Sequence, residues 1–131
     1  MKNYDTRAWA EIDLDAVAHN VKEVKNSLSN DAKLMCVIKA DAYGHGYLRT
    51  ADVMIKNGAD MLACASFEEA KNLRTAGITL PVLILGSVDV RLARDMVLHN
   101  ISATITDCAL AYALSNEAQK LNREAKIHIK I

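Results

Sequence analysis

Leu34-Met35-Cys36-Val37-Ile38-Lys39-Ala40-Asp41-Ala42-Tyr43-Gly44-His45-Gly46 passes from an apolar run to a lysine and then to two glycines in three residues. Five consecutive apolar residues read as a buried strand, with the lysine at its tip. An ammonium at the end of a buried strand is costly to desolvate unless something compensates it. The glycines suit a tight loop whose amides can approach an anion at the start of the next helix.

Working outward, the same strand-then-helix unit recurs. Upstream, Ala8-Trp9-Ala10-Glu11-Ile12 alternates as a half-exposed strand does, Asp13 can cap a helix, and Val17, Val21, Val24 and Leu28 give that helix an apolar face up to Ser29-Asn30-Asp31. Downstream, a helix around Leu48 to Ile55 ends at Asn57-Gly58, and Met61 to Ala65 is a second buried strand. Ser66 with Glu69 makes a capping box for a helix that Gly77 closes. Pro81 to Gly86 is a third strand, with proline at its first position where no ladder donor is lost. A helix over about 89–99, a strand over 101–105, a helix capped by Thr106-Asp107 and running to about Asn122, and a strand over 126–131 complete the chain.

Near-continuous apolar strands beginning near residues 34, 61, 81, 102 and 126, with one helix between each pair, predict a parallel sheet with helices packed outside it. An open doubly wound sheet fits this length. A (β/α)8 barrel needs about 250 residues, and this chain would supply about five of the eight units. A last strand without a covering helix predicts a bare sheet edge and a chain cut short.

Composition narrows the function classes. The chain has 131 residues, 51% hydrophobic and 24% charged, which suits a single soluble domain with a real core. Sixteen basic residues balance sixteen acidic ones, giving no electrostatic case for nucleic acid or an anionic membrane. No apolar run is long enough to span a bilayer, and Met1 to Asp5 does not lead into a secretory signal, so a cytoplasmic protein is expected. Cys36, Cys64 and Cys108 read as small core residues, and their spacing does not suit zinc.

A lysine amine able to condense with an aldehyde, beside an anion-binding turn, is what pyridoxal phosphate requires. Alone, Lys39 would more often be a residue that reaches out to solvent. Gly44-His45-Gly46 is no dinucleotide fingerprint, because Arg49 stands where a third glycine belongs. Tyr43 can donate to a phosphate or be a half-buried loop aromatic, and His45 reads as a turn residue. His19, His99 and His128 sit on separate elements and form no triad. Glu68 and Glu69 read as capping and solvated residues.

Val37 to Gly46 closely resembles the cofactor-lysine signature of the alanine racemases, pyridoxal 5'-phosphate enzymes that interconvert L- and D-alanine. Arg7-Ala8-Trp9-Ala10-Glu11-Ile12-Asp13-Leu14 with His19-Asn20 is similar to the opening of that family. Ala65-Ser66-Phe67-Glu68-Glu69-Ala70 with Leu73-Arg74 and Ala76-Gly77-Ile78 resembles its second βα unit, and Pro81 to Gly86 its third strand. The resemblance implies a TIM-type barrel of which residues 1–131 form the N-terminal, cofactor-binding part. It implies Lys39 as the lysine that holds the cofactor and serves as one of two bases at Cα, and Tyr43 as donor to its phosphate. Val37 and Leu85 would line the ring pocket, and Lys130 falls where some members carry a carbamylated lysine. A homodimeric cytoplasmic enzyme supplying D-alanine for peptidoglycan is further implied, with no metal.

The family continues past Lys130 with an Asp-Thr-Gly-Met motif, an arginine facing the pyridine nitrogen and a β-rich domain carrying the opposite base, a tyrosine, across a dimer interface. Racemisation needs a proton acceptor on each face of a planar carbanion, so this chain is expected to be inactive alone. The alternatives are a racemase for another small amino acid such as serine, and a small cofactor-binding or purely structural α/β module.

Overall fold

The computed structural model describes residues 8–29 and 31–131. Met1 to Arg7, with the N-terminal stretch and the first residue of the family-like opening, and Asn30 lie outside the described residues.

Asp13 opens helix α1 (Leu14–Ser27) by accepting hydrogen bonds from the Asp15 and Ala16 amides, as its sequence position predicts. Strand β1 (Met35–Val37) follows, and then a short element, α2 (Lys39–Gly44), that begins with the lysine. The chain continues through α3 (Tyr47–Lys56), β2 (Met61–Cys64), α4 (Phe67–Thr75) and β3 (Val82–Ile84). A 3-10 turn (Val90–Leu92) leads into α5 (Ala93–Leu98), and β4 (Ser102–Ile105), α6 (Cys108–Leu121) and β5 (Ile127–Ile129) complete it.

The five strands are parallel and lie in chain order, β1-β2-β3-β4-β5. A doubly wound sheet reverses direction partway, so that its helices fall on both faces. Here every crossover advances by one strand in the same sense. Since parallel crossovers are right-handed, all the helices fall on one face. This is an incomplete α/β barrel.

Register separates the two faces. Cys64, Ile84 and Ala103 align across β2, β3 and β4, and Cys36, Leu62 and Val82 align one step below. Both rows belong to the core between sheet and helices, with Leu73, Met96 and Leu114 fully buried against them. The alternate residues Val37, Ala63, Leu83 and Ser102 form the row of the opposite face. On that face the buried Thr104 hydroxyl donates to the Ile84 carbonyl at 2.7 Å. Strand β5 pairs with β4 and is exposed throughout, Ile129 by 75%.

Two polar ties set the lower rim. The Lys25 ammonium on α1 reaches the Asp60 carboxylate, which also accepts the Leu34 N–H at 2.6 Å. These bonds join α1, the entry to β1 and the entry to β2. On the other side, Arg74 of α4 gives its guanidinium to four carbonyls: Ile78 at 2.7 Å, Leu80 and Asn100 at 2.8 Å, and His99 at 3.0 Å. All four lie just ahead of β3 or β4, so one side chain sets the start of both strands.

Three sequence expectations are corrected. Residues 8–12 form no strand and stand outside the sheet, with Trp9 exposed; an alternating pattern becomes a strand only where another strand takes its amides. Cys108 is exposed at the start of α6, while Cys36 and Cys64 are buried. Its helix is rich in Ala and Leu, but the buried stripe runs through Leu110, Leu114 and Ala118 and leaves position 108 outside. Val24 is also largely exposed, and Val21 is the buried residue of α1.

Two measurements check this framework. Arg74→Ala leaves four carbonyls short of a donor and is expected to cost about 2–4 kcal/mol in urea unfolding. A loss below ~0.5 kcal/mol would show that the clamp is not needed. The Lys25 ammonium and then the Leu34 amide hold the Asp60 carboxyl below its ordinary value of 3.8. A depressed folded pKa stabilises the fold above the unfolded value and stops doing so as pH falls through the folded one. Asp60→Asn is therefore expected to be less stable than the parent at neutral pH, with the gap closing in acid below the ordinary carboxylate range. A gap that does not change with pH would refute this.

Candidate functional site

The carboxyl ends of parallel strands, where the loops into the helices gather, are where such sheets place their chemistry. Four of the sequence-designated residues stand along this rim on one face. Val37 closes β1, and alternation brings Lys39, two residues on, to the same side, since Cys36 and Ile38 both face the helix-side core. Leu85 follows β3 and is half-buried, its amide bonded to the Cys64 carbonyl at 2.9 Å. Lys130 follows β5, its amide bonded to the Ile105 carbonyl at 3.0 Å, and its side chain is exposed. Gly86 completes the rim; a Cβ there would stand 3.0 Å from the Ala65 carbonyl, so a side chain would push the β2–α4 turn back by a few tenths of an ångström.

Tyr43 is the fifth residue, and the backbone before it is unusual. Instead of a simple glycine loop, α2 winds left-handed: Ala40, Asp41, Ala42 and Tyr43 have φ between 51° and 56° and ψ between 36° and 53°. The left-handed conformation costs an L-residue roughly 1–2 kcal/mol, and four in succession cost about 4–8 kcal/mol. Gly44 at φ 84° and Gly46 at φ 83° extend the positive-φ course without a Cβ to oppose it. Strain of this size persists only where the surroundings over-determine it, and such places cluster at functional sites.

The left-handed turn brings its two ends together. The Lys39 ammonium lies 5.9 Å from the centroid of the Tyr43 ring, within cation–π range, and the tyrosine is 60% exposed. Ala42 inserts its methyl group into the core, and the Ala42 amide donates to the Ile38 carbonyl at 2.9 Å. His45 Nδ1 stands 2.8 Å from the Ala42 carbonyl, which fits its reading as a turn residue.

Two side chains do something the sequence did not suggest. The Asp41 carboxylate accepts the Tyr47 N–H at 2.8 Å and so occupies an amide at the start of α3. At the helix start where the sequence suggests amides for an anion, the chain's own carboxylate takes the first of them. The sequence makes Glu69 a capping and solvated residue. It does close the capping box with Ser66, but its carboxylate also accepts the Ala65 N–H at 2.7 Å and the Ala40 N–H at 2.7 Å. The S-x-x-E spacing accounts for the cap, and nothing in the sequence marks the bond to Ala40, 29 positions away.

Beneath the turn is a cavity of about 240 Å³, walled by Asp41, Tyr47, Cys64, Glu69 and Asn72. It opens on the helix side of the sheet, away from Val37 and Leu85. Burial, with the Glu69 carboxylate adding to it, pushes the Cys64 thiol up to about 12, so this cysteine is a neutral packing group at any ordinary pH.

Sheet order and rim together define a class: the first units of an α/β barrel that carries a lysine on a strained turn past its first strand. The chain belongs to the family described as "Alanine racemase, N-terminal domain", which it matches over residues 12–131. It is 46% identical over 123 residues to an alanine racemase of Clostridium perfringens, covering 94% of this chain and 32% of that protein. Among solved structures, alanine racemase of Clostridium difficile 630 in complex with cycloserine is 38% identical with a TM-score of 0.90, over 98% of this chain and 34% of that one. A histidine racemase of Leuconostoc mesenteroides also matches, at 30% identity and a TM-score of 0.76, over 87% of this chain and 30% of that one. The chain thus spans about a third of the length of the curated relatives it matches.

Ala40→Gly tests the turn. Removing the Cβ relieves about 1–2 kcal/mol of left-handed strain against ~0.5–1 kcal/mol of added unfolded-state entropy. The variant is expected to gain up to about 1 kcal/mol in urea unfolding. A clear loss of stability would mean that the turn is not left-handed in solution.

Proposed function

We propose that residues 1–131 are the cofactor-anchoring N-terminal part of the barrel of a pyridoxal 5'-phosphate-dependent amino-acid racemase, acting between L- and D-alanine. The observation that supports this best is Lys39 itself: a half-buried amine at the carboxyl end of β1, held on a strained turn with the Tyr43 ring 5.9 Å away. Those residues fit the group. A primary amine can bind its aldehyde, an exposed phenol can donate to its phosphate, and Val37 and Leu85 offer apolar surface to a ring.

When bound, pyridoxal phosphate serves as an electron sink for the charge that develops at the amino-acid Cα. The protein residues supply the rest. Lys39 Nζ would hold the cofactor, and the same amine would accept or return a proton at Cα from one side. Tyr43 donates from its hydroxyl to the phosphate and keeps the ring end near the lysine. Val37 and Leu85 keep water from the ring. Lys130, on the same face at the end of β5, stands as the candidate for carbamylation. With one base in this segment, two-sided proton transfer needs a second group from elsewhere, and 131 residues alone are expected to be inactive. A cytoplasmic homodimer providing D-alanine for peptidoglycan is the setting this reading implies.

The Leuconostoc match supports a second reading, a racemase for a different amino acid, serine among the small ones. Lys39, Tyr43, Val37 and Leu85 all act on the cofactor, so none of them chooses the substrate side chain. A cofactor-binding or structural module without catalysis is the remaining alternative.

Trapping at Lys39 tests the proposal. The chain is incubated with pyridoxal phosphate, reduced with borohydride and mapped by peptide mass spectrometry, with Lys39→Ala as control. A single adduct at Lys39, saturating well before surface lysines, is the expected result. Labelling spread evenly over many lysines, unchanged in Lys39→Ala, would count against a cofactor site in this chain.

A further inference from the structure

Glu69 joins two strand ends that carry different parts of the rim. One carboxylate oxygen takes the Ala40 N–H at 2.7 Å, immediately after Lys39. The other takes the Ala65 N–H at 2.7 Å and the Ser66 N–H at 3.3 Å, in the turn leaving β2. Helix capping accounts for the second oxygen and leaves the first unexplained. Ala40 is also the first residue of the left-handed run.

The remaining hydrogen bonds of the turn, among the described residues, are local. The Ala42 amide donates to Ile38, His45 to Ala42, Gly46 to Asp41, and the Tyr47 amide to the Asp41 carboxylate. Below the turn is the cavity that Asp41 and Glu69 both line, so packing supports it chiefly through Ala42. The local bonds shape the turn without fixing its position on the sheet. The ladder to β2 ends just before Lys39, with the Ile38 N–H on the Ala63 carbonyl at 2.8 Å, and beyond that point the bond to Glu69 is what ties the turn to another strand end.

We propose that Glu69 is the positioning residue for Lys39: its carboxylate pins the Ala40 amide to the β2–α4 turn and so sets where the strained turn presents the lysine amine and the Tyr43 hydroxyl. The functional half of this rests on Lys39 being the cofactor lysine, while the clamp stands apart from it. Glu69 touches neither cofactor nor substrate in this role.

The test compares four forms of the chain. Glu69→Gln keeps the shape but places an amide NH2 against one set of N–H groups, so that the two arms cannot both be satisfied. Ser66→Ala removes only the hydroxyl that accepts the Glu69 amide and leaves the bond to Ala40. Amide hydrogen exchange at Ala40 is followed by NMR, and the share of pyridoxal phosphate captured at Lys39 relative to all other lysines is measured after borohydride reduction. Glu69→Gln is expected to speed exchange at Ala40 about tenfold and to lower the Lys39 share by a similar factor, the equivalent of ~1.4 kcal/mol for one lost charge-assisted hydrogen bond. Ser66→Ala, though less stable, should match the parent in both. Unchanged exchange at Ala40 in a folded Glu69→Gln chain and also in a folded Glu69→Ala chain, which offers neither arm an acceptor, or equal effects from Ser66→Ala, would overturn the proposal and leave Glu69 a helix cap. If the parent shows no preference for Lys39, it is the cofactor reading that fails, and exchange at Ala40 decides the clamp by itself.

Discussion

Parallel strands linked by right-handed crossovers, each advancing by one position, leave the chain no freedom about where its helices go. They accumulate on one face, and Leu62, Ile84, Met96 and Leu114 are buried there. The other face keeps the alternate residues, and the strand ends gather along one rim. Val37, Lys39, Leu85 and Lys130 come from three strands far apart in sequence, yet this winding alone sets them on a common side. The lower rim is held by structural groups, Arg74 and the Lys25–Asp60 pair, while the upper rim carries the residues proposed to meet the cofactor. Stability and chemistry are thus divided between the two ends of the same strands, as in complete barrels.

Against that regular frame the six residues Lys39–Gly44 are an exception. Where the rest of the segment follows local preference, these run against it, with two alanines, an aspartate and a tyrosine in a conformation suited to glycine. The turn sets an amine and a phenol side by side at the end of β1, with the Lys39 ammonium 5.9 Å from the Tyr43 ring centroid.

Much of this was legible in the sequence, for physical reasons that differ by residue. Buried parallel strands are continuous apolar runs, so β1 to β4 could be found within a residue or two, and Asp13, Ser66 and Asp107 marked helix starts because a side-chain oxygen must meet orphan amides there. Lys39 stood out as a charge at the end of an apolar run. Other features depend on tertiary neighbours and leave no local trace. Residues 8–12 alternate like a strand but stand outside the sheet, Cys108 occupies the outer side of a helix whose composition is apolar overall, and the left-handed winding of Ala40 to Tyr43 contradicts every residue preference in it. Glu69 was half legible: its bond to Ser66 follows from spacing, and its bond to Ala40 exists only once two strand ends meet.

That last contact bears on the order in which the segment assembles. Local interactions do not favour a left-handed run of non-glycine residues, so it has no reason to form in an isolated β1–α3 stretch. It becomes favourable only after β2 has paired with β1 and α4 has brought its first turn alongside. Residues 39–44 are therefore expected to settle last, and the same balance makes them the first to loosen. Opening there would cost far less than separating the strands and would leave the sheet intact. The piece of the chain that holds the amine proposed for the cofactor is then also its least cooperative part, able to reorganise around an incoming molecule while the helices behind it stay in place.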